Sequence, residues 1–389
     1  MMDSLSLLFT GDIGFDKYMD KMWRDKSLLS TEVREFLKSA DHIIANVEGP
    51  LSNGDKQVAT NSVVGLMHSM DPEVAVFLED IDADIWNLCN NHIMDAGPAG
   101  IADTLKIADT LGVKTIGAGM NLSEASSPLI LNEAGGIGMI AVGYQRGCKK
   151  AKDDYPGCLG WDEFDIIQKK IDEIKDTCRW CIIVSHGGEE FTPLPSPYTR
   201  DRYMKYLDMG ADIVVSHHPH VPMNYESFDN GKMIFYSLGN FIFDTDYQRS
   251  QLYTEMGVLL RLDITDTGFS FVPFGLRINR ENEHIEKGEL PDIFCDVQAK
   301  EYQLLEPLSA KAFVCATKRQ QIYLKPDEYT DASEEKWAEN FANPMRSGRV
   351  PGEALDFQII CPIAEKESEH AWKESSLPKV VEYIKRMIP

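Results

Sequence analysis

Nowhere does the chain run for about 18 apolar residues without interruption, the length a helix needs to cross a bilayer, so no membrane-spanning segment is expected. The opening residues, Met1 to Thr10, carry no basic stretch and too short an apolar one for a secretory leader. If residue 1 is the native start, the expectation is a cytoplasmic protein. Positive charge is scarce: 39 Lys and Arg stand against 62 Asp and Glu, a formal net charge of -23. That field repels duplex DNA and anionic lipid, and no Lys/Arg cluster opposes it, so no nucleic-acid partner is indicated. An anionic substrate, small or polymeric, remains compatible, because bound divalent cations can reverse the potential inside a cleft. Cysteine forms no framework either. The eight are scattered, and the one CxxC, Cys178 to Cys181, has no second half, so buried thiols are the simpler reading than a zinc or redox pair. Internal repeats and low-complexity tracts are missing, and nothing speaks to oligomeric state.

What is present is an ordinary globular composition over 389 residues, enough for one large core with an added subdomain or for two domains. Over residues 1 to about 220, short apolar or β-branched runs alternate with longer amphipathic stretches, the mark of a layered α/β fold. Strands are predicted at 5–10, 42–47, 84–89, 114–117, 180–185 and 212–216. Helices are predicted at 31–40, 71–81, 98–111, 161–178 and 198–209. Three hairpins are predicted at 127–144, 225–243 and 257–278; the second turns at Asp229-Asn230-Gly231, a strong hairpin signal. Hairpins added to a βα repeat suggest a second sheet against the first. The domain reading is a main domain at 1–280 and a C-terminal accessory α+β region at 281–389. That region reads as short strands and polar linkers closing on an amphipathic helix at 377–387.

Five predicted strands end in potential metal donors. Asp12 follows the first, Glu48 the second, Asn91 and His92 the third, His186 another, and His218 and His220 the last. Singly, each has a plain structural reading: a helix cap, a turn, a satisfied histidine, as for His42, His68, His284 and His370. Together they place donors at the carboxyl ends of strands, where layered α/β folds gather their sites. Mixed carboxylate, amide and imidazole suits Mn, Fe or Zn, whereas an all-oxygen set would suit Mg or Ca. Six or seven donors exceed what one tetrahedral ion uses, so two divalent metal ions are the economical reading. Paired ions about 3.5–4 Å apart need a bridging carboxylate, and Glu48 is chosen for it. His217, beside two candidate donors, either contacts substrate or faces solvent. A serine hydrolase is set aside because Ser185 and Ser237 lack a nucleophile-elbow setting.

Several motifs resemble the CapA family of poly-γ-glutamate capsule synthesis proteins, itself grouped with calcineurin-like metallophosphoesterases. They are Gly11-Asp12, Asn46-Val47-Glu48-Gly49-Pro50-Leu51, Asn90-Asn91-His92 with Asp95 and Gly97, and Gly117-Ala118-Gly119. His186-Gly187-Gly188-Glu189-Glu190, His217-His218-Pro219-His220 and Tyr236-Ser237-Leu238-Gly239-Asn240-Phe241 complete the set, which covers residues 5–245.

The resemblance implies an α/β fold, a four-layer α/β/β/α metallophosphoesterase-type sandwich, with a two-metal site at the strand ends. It implies that Asp12 and His220 hold one ion, that Asn91, His186 and His218 hold the other, and that Glu48 holds both. His92 matches a general acid and Asp95 the group that orients it; Glu190 and Asn240 line or brace the cleft. Departures are visible. Gly14 stands where the wider superfamily has a second histidine, so Asp16 or water is expected in that place, or else weak binding of the ion at Asp12. Gly187 stands where the branch commonly has an aromatic residue, and the export signal usual in the branch is not seen. The leading expectation is a dinuclear phosphoesterase. The alternatives are a metal-dependent amide or γ-glutamyl hydrolase and a non-hydrolytic binding component of polymer synthesis.

Overall fold

The computed structural model describes residues 4–53, 68–143, 149–328, 332–342 and 377–388. Cys148, Cys361 and His370 lie outside the described residues. Two mixed sheets carry the fold. The first runs in the order His284–Lys287, Phe269–Asn279, Met256–Thr265, Ser4–Gly14, His42–Val47, Ile85–Asn87, Lys114–Ile116, and Asn240–Phe243 also pairs with Ser4–Gly14. The second runs Tyr225–Ser227, Met233–Phe235, Ile213–His217, Trp180–His186, Ile137–Gly143, Leu129–Leu131. In the first sheet the strands from Ser4–Gly14 to the Lys114–Ile116 edge are parallel and those on the other side antiparallel; in the second, parallel strands form the middle and antiparallel pairs both edges.

Period-two alternation sets the layers. Along Trp180–His186, Ile182 and Val184 enter the core shared with Leu7, Phe9 and Ile44 of the first sheet. Cys181 and Ile183 point the other way, into a core with Ile167, Ile171 and Ile174 and with Tyr203 and Tyr206. Those residues belong to the Phe164–Lys175 and Pro197–Asp208 helices, which therefore cover the outer face of the second sheet. Thr31–Leu37, Val74–Asp80 and Gly97–Leu111 contribute buried residues to the first sheet's side. The result is the four-layer α/β/β/α order. Local signals set the helix ends: Ser30 and Ser196 cap through their side chains, and Gly112, at φ 70°, closes Gly97–Leu111 in the left-handed region.

Two expectations need correction. The hairpin predicted at 225–243 pairs only Tyr225–Ser227 with Met233–Phe235; Asn240–Phe243 crosses to the first sheet and lies parallel to Ser4–Gly14. Beyond residue 280 the chain adds the strand His284–Lys287 to the first sheet, then a 26-residue helix, Ala299–Leu324, where short strands and linkers were expected. Pro307 inside that helix reads as a breaker, and its buried positions mix Ala and Ser with Leu, so no clean apolar stripe announces it. Gln298 and Glu301 start it with a capping box. No helix among the described residues is long and apolar enough to cross a membrane. Cys178 and Cys181 are both buried and free, and burial, helped by Asp212, pushes the Cys181 thiol up to about 12, which leaves it inert.

Candidate metal centre

The carboxyl ends of Ser4–Gly14, His42–Val47, Trp180–His186 and Ile213–His217, with the loop after Ile85–Asn87, bring the donors to one place. Three groups have ligand atoms within 4.8 Å of one another: Asp12, Glu48 and His220; Glu48, His186 and His218; and Glu190, His218 and His220. Glu48 is common to the first two. Its Oε1 lies 3.6 Å from His186 Nε2, 3.8 Å from His220 Nε2 and 4.0 Å from His92 Nε2. Asn91 Oδ1 lies 2.8 Å from His186 Nε2, and Asp12 Oδ2 lies 3.2 Å from His220 Nδ1. Donors bound to one ion at about 2.0–2.1 Å stand about 3–4 Å apart, as Glu48 Oε1 does from His186 Nε2 and His220 Nε2.

Local backbone explains how they converge. Asp12 sits at a register irregularity against both neighbouring strands, opposite Asn46 on one side and Asn240 on the other. Asn46 donates to Asp12 Oδ1 at 2.7 Å, and Asn87 donates to Asn46 Oδ1 at 2.7 Å, so an amide relay fixes the carboxylate. His218 and His220 adopt φ of 99° and 59°, and Phe191 60°, a left-handed cluster unusual for bulky side chains and typical of functional loops. The two loops are tied together by Gly187 N–H to His217 O and Phe191 N–H to Pro219 O.

Electrostatics supply the fit test for a metal. Glu48 is fully buried, and among the described residues neither of its oxygens accepts a hydrogen bond. Burial alone would raise its pKa, but the charges of His220 and then His186 pull it down to about 2. Asp12 is likewise lowered: burial opposes this, and the hydrogen bond and charge of His220 outweigh it. His218 is held well below the usual imidazole range by burial and by His186 and His220, so it is neutral, as a ligand must be. In His220, by contrast, burial is outweighed by Glu48 and Asp12, which raise it to about 10, a positive charge that a bound cation would replace. A buried ionised carboxylate ringed by imidazole nitrogens, with no hydrogen bond of its own, fits divalent cations.

His92 Nδ1 meets Asp95 Oδ2 at 2.6 Å, leaving Nε2 toward Glu48. Burial and the neighbouring His68 charge lower its pKa. Glu190 Oε2 accepts from Tyr247 Oη at 2.9 Å and from Gln320 Nε2 at 2.8 Å, and its Oε1 lies 3.8 Å from His218 Nε2. Asn240 is buried, accepts at Oδ1 from His220 Nδ1 at 3.0 Å, and donates to Thr254 O and Gln248 Oε1. It braces the histidine from behind. His217 does not face solvent: it is 1% exposed and joined through Nε2 to the carbonyl of Thr10 at 2.9 Å, so it holds one sheet to the other.

The space a side chain at position 14 would need is taken by Phe243. A Cβ there would meet the Phe243 ring at 2.3 Å. Asp16 is instead paired with His68 Nδ1. His68, read from sequence as an ordinary histidine, stands edge-on to His92 at 4.2 Å between centroids and donates its N–H to Asp95. No motif marks it. Gln320 and Tyr247 were also missed, since their partner Glu190 is remote in sequence.

Fold and donors together define an α/β protein with a strand-end candidate metal centre. The chain belongs to a family described as "Bacterial capsule synthesis protein PGA_cap", which it matches over residues 6–245. It is 32% identical over 254 residues to the PGA biosynthesis protein CapA of Bacillus subtilis (strain 168), covering 64% of this chain and 66% of that protein. It is 27% identical over 275 residues to the capsule biosynthesis protein CapA of Bacillus anthracis, covering 68% and 65%. The chain thus spans just under two thirds of the length of both. A probable polyglutamine synthesis accessory protein of Mycobacterium tuberculosis is 24% identical over 192 residues, covering 46% and 50%. Among solved structures, TT1561 of Thermus thermophilus matches at TM-score 0.38 and 11% identity, covering 70% of this chain and 99% of that one. Purple acid phosphatase PPD1 from yellow lupin seeds matches at TM-score 0.29 and 12% identity, covering 76% and 55%. Both likenesses are too distant to bear on function.

Proposed function

We propose that the protein is a dinuclear metal-dependent hydrolase of metallophosphoesterase type, acting on an anionic small molecule or polymer. The observation that carries this reading is Glu48: a fully buried carboxylate, ionised, without a hydrogen bond among the described residues, between two donor groups that share it. Asp12 and His220 would hold one divalent ion and Asn91, His186 and His218 the other, with Glu48 common to both. The donor chemistry suits Mn, Fe or Zn. When bound, such a pair acidifies water and offsets charge on a phosphoryl group.

The protein's own groups supply the rest. Asp95 fixes His92 through Nδ1, so that Nε2 faces the donors. Because burial lowers its pKa, His92 once protonated is a readier proton donor, and Nε2 is the atom that would deliver a proton to a departing alkoxide. Asn240 holds His220 by Nδ1 and leaves its Nε2 directed at Glu48. Residues 1–280 would carry this chemistry, and 281–389 would act as an accessory region that reaches the site through Gln320.

A second reading is favoured by Gly14, whose place a phenylalanine ring has taken: a binding component of polyglutamate synthesis that keeps the metals without turnover. An amide or γ-glutamyl hydrolase uses the same donors and differs in substrate alone. The test is metal content together with turnover of phosphomonoesters, phosphodiesters and a γ-glutamyl peptide, in the wild type, His186→Ala and Asp12→Asn. Phosphoester turnover lost in both variants is expected. Metal bound with no turnover on any substrate would favour the binding role, and unchanged turnover and metal content in both variants would reject the site.

A further inference from the structure

We infer that Glu190 is a further metal donor of this centre, beside His218 and His220. The inference rests on the two-metal reading above and deepens it. Position 14 offers no donor, and the space a Cβ there would need is taken by the Phe243 ring, which also lies 5.0 Å from the ring of His220. The opposite loop supplies a donor. Glu190, His218 and His220 form the third group whose ligand atoms all lie within 4.8 Å of one another.

The carboxylate of Glu190 is divided in its duties. Oε2 accepts two hydrogen bonds, from Tyr247 Oη and Gln320 Nε2, which lie 2.9 Å from each other. Oε1 is turned to the histidines, 3.8 Å from His218 Nε2. Anchoring one oxygen while the other faces the donors is how protein neighbours orient a carboxylate ligand. The next residue, Phe191, lies nearly parallel to the His220 ring at 5.9 Å, and its N–H is bonded to Pro219 O. The loop bearing Glu190 is thereby registered on the loop bearing His220. Gln320 comes from the Ala299–Leu324 helix, so the C-terminal part of the chain takes part in holding this donor.

The test is the number and affinity of ions bound, measured by elemental analysis after dialysis and by calorimetric titration with Mn2+ or Zn2+. The proteins compared are the wild type, Glu190→Gln, Glu190→Asp and Gln320→Leu. Gln at 190 can keep the bonds to Tyr247 and Gln320, so a melting temperature near that of the wild type is expected in the absence of metal. The wild type should bind two ions. Glu190→Gln should weaken one of them by at least about 10-fold and leave the other unchanged; Glu190→Asp should recover part of the loss, and Gln320→Leu should show a smaller weakening of the same ion. Two ions bound by Glu190→Gln with wild-type affinities would overturn the inference while leaving the dinuclear reading intact. A wild type that binds no ion would overturn both.

Discussion

Glu48 and Glu306 are both buried glutamates, and the protein treats them in opposite ways. Glu48, at the strand ends, has imidazole nitrogens of His186, His220 and His92 at 3.6 to 4.0 Å and stays ionised, its pKa drawn down to about 2. Glu306, on the Ala299–Leu324 helix, has burial and the charge of Asp201 against it and is pushed up to about 7. Burial disfavours a carboxylate in both places. What differs is the company: one site gathers imidazole nitrogens around the charge, with His220 the largest influence holding it ionised, and the other leaves it to neutralise. Burial alone does not mark a functional group, whereas burial with partners and unused lone pairs does.

The largest break in that comparison comes from Glu48→Gln. Removing the shared carboxylate should reduce affinity for both ions by more than about 100-fold, read by elemental analysis after dialysis. Next, His186→Ala should lower content from two ions to one, with the retained ion on the Asp12 side; loss of both or neither would contradict the division of donors. Asn240→Leu leaves every proposed ligand in place but frees His220 Nδ1. A loss of about 10-fold in affinity for the Asp12-side ion is expected by titration.

The smallest effect belongs to Glu306→Gln and is read in stability. A carboxyl whose folded pKa is raised binds its proton more tightly when folded, so stability falls as pH rises from its unfolded value, about 4.3, through about 7. Above that window the wild type bears a cost of about 3 kcal/mol that the amide avoids. Urea unfolding should show the variant gaining that much relative to the wild type between pH 4 and pH 8. An equal difference at both values would show that Glu306 does not titrate in this range.

Much of the centre was legible because each donor follows a predicted strand, and parallel strands in a layered fold end on one side. Glu48, before Gly49-Pro50, and the pair His218 and His220 needed no partner to be noticed. The layers were legible for the same reason, since residues such as Ile182 and Ile183 alternate between two cores. What escaped depends on contacts between distant parts of the chain. Gly14 reads as a missing ligand until Phe243 is seen against it. The strand Asn240–Phe243 reads as the end of a hairpin until it is seen to cross and lie beside Asp12, although Asn240 itself was noticed. His68 has no spacing that ties it to Asp16 or His92, and the long helix hides behind Pro307.

The gathering of donors around Glu48 is tested most directly by element-specific X-ray scattering from crystals grown with Mn2+ or Zn2+. The account predicts two anomalous peaks that share the Glu48 carboxylate, one beside Asp12 and His220 and one beside Asn91, His186 and His218. Peaks elsewhere, or crystals in saturating metal with none at Glu48, would contradict it.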